Sequence, residues 1–321
     1  MSIEKGASII VNDWLQAERE EVLHFITDEN HKAEAVAFEE AAAQRGAITK
    51  VTVLKSDEIQ NGDVLEEMRN TMSYADAIIG ATDYSFVTTN AVEYALKRGT
   101  RFLSIPMHTN DGRSLFEYDF IQMDPKTAEK MSRPLIKKLN RASGIRVTTE
   151  LGTDITFGKS GRNAGLFNGV TAKKRSFGSA SFEVYVPIEE TKTNGKIILD
   201  GSLGYIGTVN EPVELCFENG YLVKIEDNAD GKRLAEYLKS FNDSEMYCAA
   251  EFGIGLNLKS ICRGFSYIED ESVFGTFHVG MGRNLALGGS HEAEGHFDIV
   301  THAPDIWSDN VKIMTKGLIN K

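Results

Sequence analysis

The stretch Val22-Leu23-His24-Phe25-Ile26, ending in polar Thr27-Asp28-Glu29-Asn30 and followed by the Ala/Glu-rich run Lys32 to Gln44, decides how the chain begins to fold. The apolar run predicts a short buried strand. In the run behind it Ala35, Phe38, Ala41 and Ala42 fall near helical spacing, and Gly46 closes it, so a helix follows. The alternation then repeats. Ile48 to Leu54 reads as a strand, Val64 to Tyr74 as a helix, and Ala77 to Gly80 as a strand. Thr88 to Arg98 reads as a helix stopped by Gly99, and Arg101 to Ile105 as a further strand. Repeated β-α units predict a parallel sheet covered by helices. The first turn has no glycine pattern, so a dinucleotide pyrophosphate finds no cradle there.

Pro125 to Leu139 is amphipathic and reads as a linking helix. Beyond Ser143 the texture changes. Glycines cluster, β-branched residues alternate with polar ones, and turn signals recur at Leu151-Gly152-Thr153-Asp154, Thr193-Asn194-Gly195, Glu218-Asn219-Gly220 and Asp227 to Gly231. Only Arg233 to Phe241 reads as helix in this half. The expected architecture is therefore α/β: an N-terminal domain over 1–140 with a parallel sheet, covering helices and the linking helix, and a β-rich α+β domain over 141–321.

The 321 residues carry 47 acidic and 35 basic side chains, a formal net charge of −12. That balance disfavours nucleic acid and anionic membrane surfaces as partners. No apolar run is long enough to span a bilayer, and the N-terminus lacks a signal-peptide core. Cys216, Cys248 and Cys262 form no CxxC pair and read as small core residues. A cytoplasmic protein is expected.

Candidate chemistry concentrates in the second half. In Gly295-His296-Phe297-Asp298-Ile299-Val300, residues two apart on a strand share a face, so His296 and Asp298 can reach one ion. His278 shares its strand face with Thr276 and Gly280, whose small side chains leave space around an imidazole. Glu251 sits in the apolar, glycine-punctuated run Ala249 to Asn257, where an unpaired buried carboxylate is expensive. Glu183 lies in the alternating strand Phe182 to Pro187, where a solvated glutamate is the default. His291 and His302 flank the His296 strand and read as exposed polar residues. Arg162 reads as a surface-loop arginine, with a carboxylate partner as the alternative.

In order and spacing these pieces resemble the aminopeptidase T family of metallopeptidases, whose relatives include 2,5-dihydroxypyridine dioxygenase. The matching stretches are Leu151 to Phe157, Phe182 to Pro187, Thr193 to Ile197, Glu211-Pro212-Val213, Phe217 to Gly220, Glu251, His278 with Gly280 and Gly282, and His296-Phe297-Asp298. The resemblance implies a two-metal site. Positions matching Glu183, Glu251 and His278 serve one ion in that family, and Glu251, His296 and Asp298 the other, with Glu251 as the bridging, catalytic carboxylate. Three carboxylates and two neutral imidazoles are untenable together without cations.

The expected activity is hydrolysis of a small amide or short peptide by metal-activated water, with Zn, Co or Mn as the ions and a homodimer as the assembly. Glu269, Glu271, Glu292 and Glu294 are candidates for the general base, each otherwise part of a solvated acidic loop. One departure bears on this expectation: the family's peptidases carry a tyrosine seven residues after the matching histidine, where this chain has Leu285. The alternative is a non-haem Fe(II) ring-cleaving dioxygenase using His278, His296 and Asp298 as a facial triad. In that enzyme's iron pocket the resemblance implies histidine where this chain has Glu183 or Glu251. His108, in a loop after the last strand of the first domain, is a candidate catalytic residue for contact with substrate.

Overall fold

The computed structural model describes residues 1–55, 63–86, 89–172 and 176–320. The chain divides into two compact units, Met1–Pro125 with Phe167–Ser181, and Lys126–Leu166 with Phe182–Lys321. The division thus falls ahead of the Pro125–Leu139 helix, whereas the sequence texture changes near residue 140.

Unit 1 begins with helix α1 (Ile3–Ile9), whose first turn is capped by Ser2. Strand β1 (Val22–Asp28), helix α2 (Lys32–Gln44) and strand β2 (Ile48–Leu54) follow, with α2 and β2 at the boundaries the periodicity predicts. The expected Val64–Tyr74 helix is broken into α3 (Asp63–Glu66) and α4 (Arg69–Met72). A tight turn in which the Met68 N–H donates to the Leu65 carbonyl separates them, and it lets both Leu65 and Met72 enter one apolar cluster with Ile26, Ile78, Phe86 and Phe102. Then come β3 (Ala77–Ala81), α5 (Asn90–Lys97) and β4 (Arg101–Ser104). The predicted helix start at Thr88 lies outside the described residues.

Position 80 within β3 is a glycine because a β-carbon there would stand 2.6 Å from the Phe86 ring and 3.0 Å from Phe102. Sheet order is β2-β1-β3-β4-β8, all parallel, where β8 is the short strand Phe177–Ser179 supplied from far along the chain.

Unit 2 opens on helix α6 (Pro125–Leu139), as its amphipathic pattern predicts. Its strands are β5 (Gly144–Thr148), β6 (Asp154–Gly158), β7 (Gly165–Asn168), β9 (Phe182–Pro187), β10 (Asn194–Leu199), β11 (Val213–Glu218) and β12 (Tyr221–Ile225). They continue with β13 (Ala249–Gly255), β14 (Thr276–Gly282), β15 (His296–His302), β16 (Asp305–Ser308), β17 (Val311–Thr315) and β18 (Leu318–Ile319). The chain leaves unit 2 within β7.

Helix α7 (Ala229–Ser240) starts earlier than its apolar pattern suggests, because Asn228 accepts from the Gly231 N–H at 2.8 Å and nucleates the first turn. Helix α8 (Tyr267–Ser272) is a second helix that the sequence reading takes for loop.

Two antiparallel sheets result. One runs β12-β11-β10-β6-β5-β16-β17-β18, and the other β15-β14-β13-β9-β7. Phe157 of the first meets Phe252 of the second at 5.4 Å between ring centres, and Phe252 stacks on Phe277. This apolar layer buries one face of the shorter sheet. Its other face carries the polar residues.

Candidate metal centre

Four adjacent strands of the shorter sheet place ligand-type residues and glycines opposite one another. Gly253 of β13 pairs with His278 of β14 and with Tyr185 of β9, while Gly255 pairs with Glu183. Gly280 of β14 pairs with Glu251 on one side and Asp298 of β15 on the other, and Gly282 pairs with His296. Directly opposed residues in an antiparallel ladder share a face. Glu183, Glu251, His278, His296 and Asp298 therefore all project from the face opposite the phenylalanine layer.

The glycines are required by this crowding. A β-carbon at Gly253 would overlap the His278 imidazole, and one at Gly280 would stand 2.6 Å from His296 Cε1 and 2.8 Å from Glu251 Cβ. His278 Nε2 lies 2.6 Å from Glu183 Oε2. His296 Nε2 lies 3.1 Å from Glu251 Oε2 and 3.6 Å from Asp298 Oδ2. Donor atoms of Glu183, Glu251 and His278 fall within 4.8 Å of one another, as do those of Glu251, His296 and Asp298. Glu251 belongs to both groups. Glu183 is buried, which corrects the expectation of a solvated glutamate: β9 is covered along nearly its whole length, so alternation along it does not signal an open face.

Burial and mutual repulsion dominate the electrostatics. Burial pushes the Glu251 carboxyl up, with His296 opposing and Glu183 reinforcing the shift. Burial disfavours an imidazolium at His278, but Glu183, and behind it Asp298 and Glu251, outweigh burial and raise the group to about 9. His296 is raised in the same way, chiefly by Asp298 against burial.

Glu271, on α8, is a further member. It is buried, and its carboxyl is pushed well up by burial and then by the charges of Asp298, Glu183 and Glu251. Glu269 is also buried, paired with Arg263 at 3.2 Å. Neither residue belongs to a solvated acidic loop, because α8 packs against β9, β13, β14 and β15. Glu292 and Glu294 do stand exposed.

These residues fit a divalent cation. His296 Nδ1 lies 2.7 Å from the Arg283 carbonyl, which can only accept, so the neutral ring carries its proton there and turns the Nε2 lone pair toward Glu251 and Asp298. Among the described residues, His278 Nδ1, Asp298 Oδ1 and Glu271 Oε2 are buried without a hydrogen-bond partner. Crowded carboxylates with idle oxygens fit cation binding better than a closed polar core.

The other candidates lie elsewhere. His108 belongs to unit 1, where its Nε2 is 3.1 Å from Asn110 Oδ1 and its ring stacks on Tyr84 at 6.2 Å between centres. His291 contacts the Glu245 carbonyl at 2.9 Å. Arg162 is no plain surface arginine. It holds the Glu190 carboxylate through both terminal nitrogens, at 2.9 and 2.6 Å, and Glu190 also accepts from Asn284 and Ser290.

The sequence reading does not single out Asp28, His31 and Asp83 of unit 1, whose donor atoms also converge. There the oxygens are already engaged: Asp28 accepts from the N–H groups of Asn30 and Asp83, and Asp83 lies 2.7 Å from His31 Nε2 and accepts from Asn30. That group is a structural lock.

A mixed α/β chain with two cation-ready groups on one antiparallel sheet has the aminopeptidase T-like fold, which solved structures share. The structure of 2,5-dihydroxypyridine dioxygenase from Pseudomonas putida KT2440 matches with a TM-score of 0.82, covering 100% of this chain and 98% of that one at 17% identity. Wild-type AmpT from Thermus thermophilus matches with a TM-score of 0.68, covering 99% and 98% at 14% identity. Within that fold, the sequence profile of the NicX family, 2,5-dihydroxypyridine 5,6-dioxygenase, matches residues 3–321, and the chain belongs to that family. The curated 2,5-dihydroxypyridine 5,6-dioxygenase of Pseudomonas putida KT2440 is 24% identical over 139 residues, a match spanning 40% of this chain and 40% of that protein.

Proposed function

We propose that this chain is an Fe(II)-dependent dioxygenase that opens a hydroxylated nitrogen heteroaromatic ring of the 2,5-dihydroxypyridine type. The observation that carries the proposal is the family match over residues 3–321; on one sheet face His296 and Asp298 converge with Glu251, and His278 stands in the neighbouring group that shares Glu251. Imidazole and carboxylate are the donor types of non-haem iron oxygenases. Fe(II), when bound, supplies the redox chemistry and open positions that ring cleavage by O₂ requires.

The chain's own residues do the rest. The Arg283 carbonyl fixes the His296 ring, and the phenylalanine layer beneath keeps that side of the sheet dry.

A two-metal hydrolase is the second reading. It is favoured by the Glu183, Glu251 and His278 group, which supplies a complete second set of donors sharing Glu251. Elemental analysis of protein prepared without added metal or chelator, followed by O₂ uptake with 2,5-dihydroxypyridine, tests both. One iron per chain and substrate-dependent O₂ uptake support the dioxygenase. Two zinc, cobalt or manganese ions with release of amines from aminoacyl amides support the hydrolase.

A further inference from the structure

We propose that Asn284 is a positioning residue that sets Glu251 and His296 against one another, because its single carboxamide braces the peptide groups that aim both. The inference rests on the reading of this sheet face as a metal centre, which the dioxygenase and hydrolase proposals share.

Asn284 is fully buried in the segment between β14 and β15. Its Nδ2 donates to the Ala250 carbonyl at 3.0 Å and to Glu190 Oε1 at 3.1 Å, while its Oδ1 accepts from the His291 N–H at 2.9 Å. Both amide hydrogens and the oxygen are therefore engaged. A carbonyl and a carboxylate only accept and a backbone N–H only donates, so the carboxamide fits one way round.

The first peptide group leads into Glu251. The Ala250 carbonyl and the Glu251 N–H are the two ends of one plane. At Ala250 strand β13 slips register against β14: Ala249 pairs with Met281 and Glu251 with Gly280. Such an irregularity re-aims the side chain that follows it. The Asn284 amide and the Ile188 N–H, at 3.1 Å, hold the Ala250 carbonyl and with it the root of Glu251.

The second peptide group aims His296. The Arg283 carbonyl, which receives the Nδ1 proton of His296, shares its plane with the Asn284 N–H. That N–H donates to the His291 carbonyl at 3.2 Å, and the Asn284 side chain takes the His291 N–H, so Asn284 grips His291 from both sides. Turning the plane would swing the Arg283 carbonyl off the ring. A β-carbon at Gly289 would overlap the carboxamide, so the segment closes over Asn284 only with glycine there. His296 Nε2 and Glu251 Oε2 stand 3.1 Å apart, and one side chain braces both from behind.

The test is binding of Co(II), followed by visible absorption, to the full chain stripped of metal, with Tm measured for each variant. Asn284→Ala releases both peptide groups. Glu190→Gln loosens the same segment by ending the ion pair with Arg162, but keeps an oxygen for Asn284 and leaves its bonds to Ala250 and His291. Asn284→Ala is expected to weaken Co(II) about 10–100-fold and to shift the visible bands. Glu190→Gln is expected to stay within a few-fold of the wild type, with wild-type bands. Unchanged affinity and bands in Asn284→Ala overturn the assignment, as does a loss in both variants that merely follows their Tm. If Asn284→Ala does not fold, Asn284→Ser carries the same comparison, since its shorter hydroxyl cannot meet all the carboxamide's partners. Where the wild-type chain binds Co(II) and the Asn284 variant binds it alike, the Asn284 role falls alone. Where the wild-type chain binds none, the role falls together with the metal-centre reading.

Discussion

The imidazole of His278 lies over Gly253, its direct partner across the ladder between β13 and β14, in space that any side chain at Gly253 would claim. Both residues are buried and the backbone on either side is paired, so the overlap cannot be relieved by local movement. Gly253→Ala is expected to displace His278 and lower metal affinity at least tenfold, with about 1–3 kcal/mol lost in stability from overpacking. Metal content after dialysis against a weak chelator, compared with thermal unfolding, checks this. A variant that retains full metal content would show that His278 is not held where the ladder puts it.

Glu271 is buried beside Asp298, whose charge adds to burial in pushing the Glu271 carboxyl well up. Glu271→Gln keeps a donor toward Asp298 and is expected to stay within a few-fold of wild-type metal affinity. Glu271→Ala leaves Asp298 without that support and is expected to lose about 10–100-fold. If the two variants lose affinity equally, Glu271 serves as a charged ligand instead of an orienting group.

The Arg162–Glu190 pair ties the turn after β9 to the segment between β14 and β15, through Asn284 and Ser290. Burial opposes ionisation of Glu190, but the Arg162 guanidinium and the Ser290 N–H outweigh it and hold the carboxyl down at about 2. A depressed carboxyl stabilises the fold above its ordinary value of 4.5 and loses that contribution as pH falls toward 2. Glu190→Gln is expected to cost about 2 kcal/mol near neutrality and little once the pH has fallen to 2, read as the difference in Tm between variant and wild type. A difference that does not shrink on acidification would contradict the assignment.

His31 behaves in the opposite sense. Burial disfavours its charge, but the Asp83 and Glu34 hydrogen bonds and the Asp28 charge raise it to about 9 from an ordinary value of 6.5. A raised histidine contributes fully below its unfolded value and loses that contribution as pH climbs through its folded one. Unit 1 is expected to lose up to about 3 kcal/mol between pH 6.5 and 9, and His31→Gln to remove that slope. Hydrogen exchange of β1 and β3 amides across that range reads it directly.

Much of this was open to a reader of the sequence, for identifiable reasons. The α2 and β2 boundaries follow from spacing and from Gly46, and α6 from its amphipathic pattern. His278 and Glu251 were conspicuous because polar residues in glycine-rich apolar strands need a reason to be there.

What stayed hidden depends on contacts distant in sequence. Helix α8 reads as loop because four of its six residues are Glu, Asp or Ser, and only pairing with Arg263, capping of the Arg263 and Gly264 N–H groups, and the ligand cluster explain how they are buried. Strand β8 is three residues long, too short for any periodicity, yet it completes the first sheet.

Strand β8 also dictates an order of events during synthesis. The edge of β4 that it covers is made by Ser104, but its partner does not exist until Ser179 has been added, after α6, β5, β6 and β7 have emerged. Throughout that interval a nascent parallel sheet presents an uncovered row of backbone groups, open to wrong partners. A gene cut after the first unit's long N-terminal segment would encode a sheet with that row permanently bare, so the part of this protein that looks most like a separable module is the part least able to be made alone.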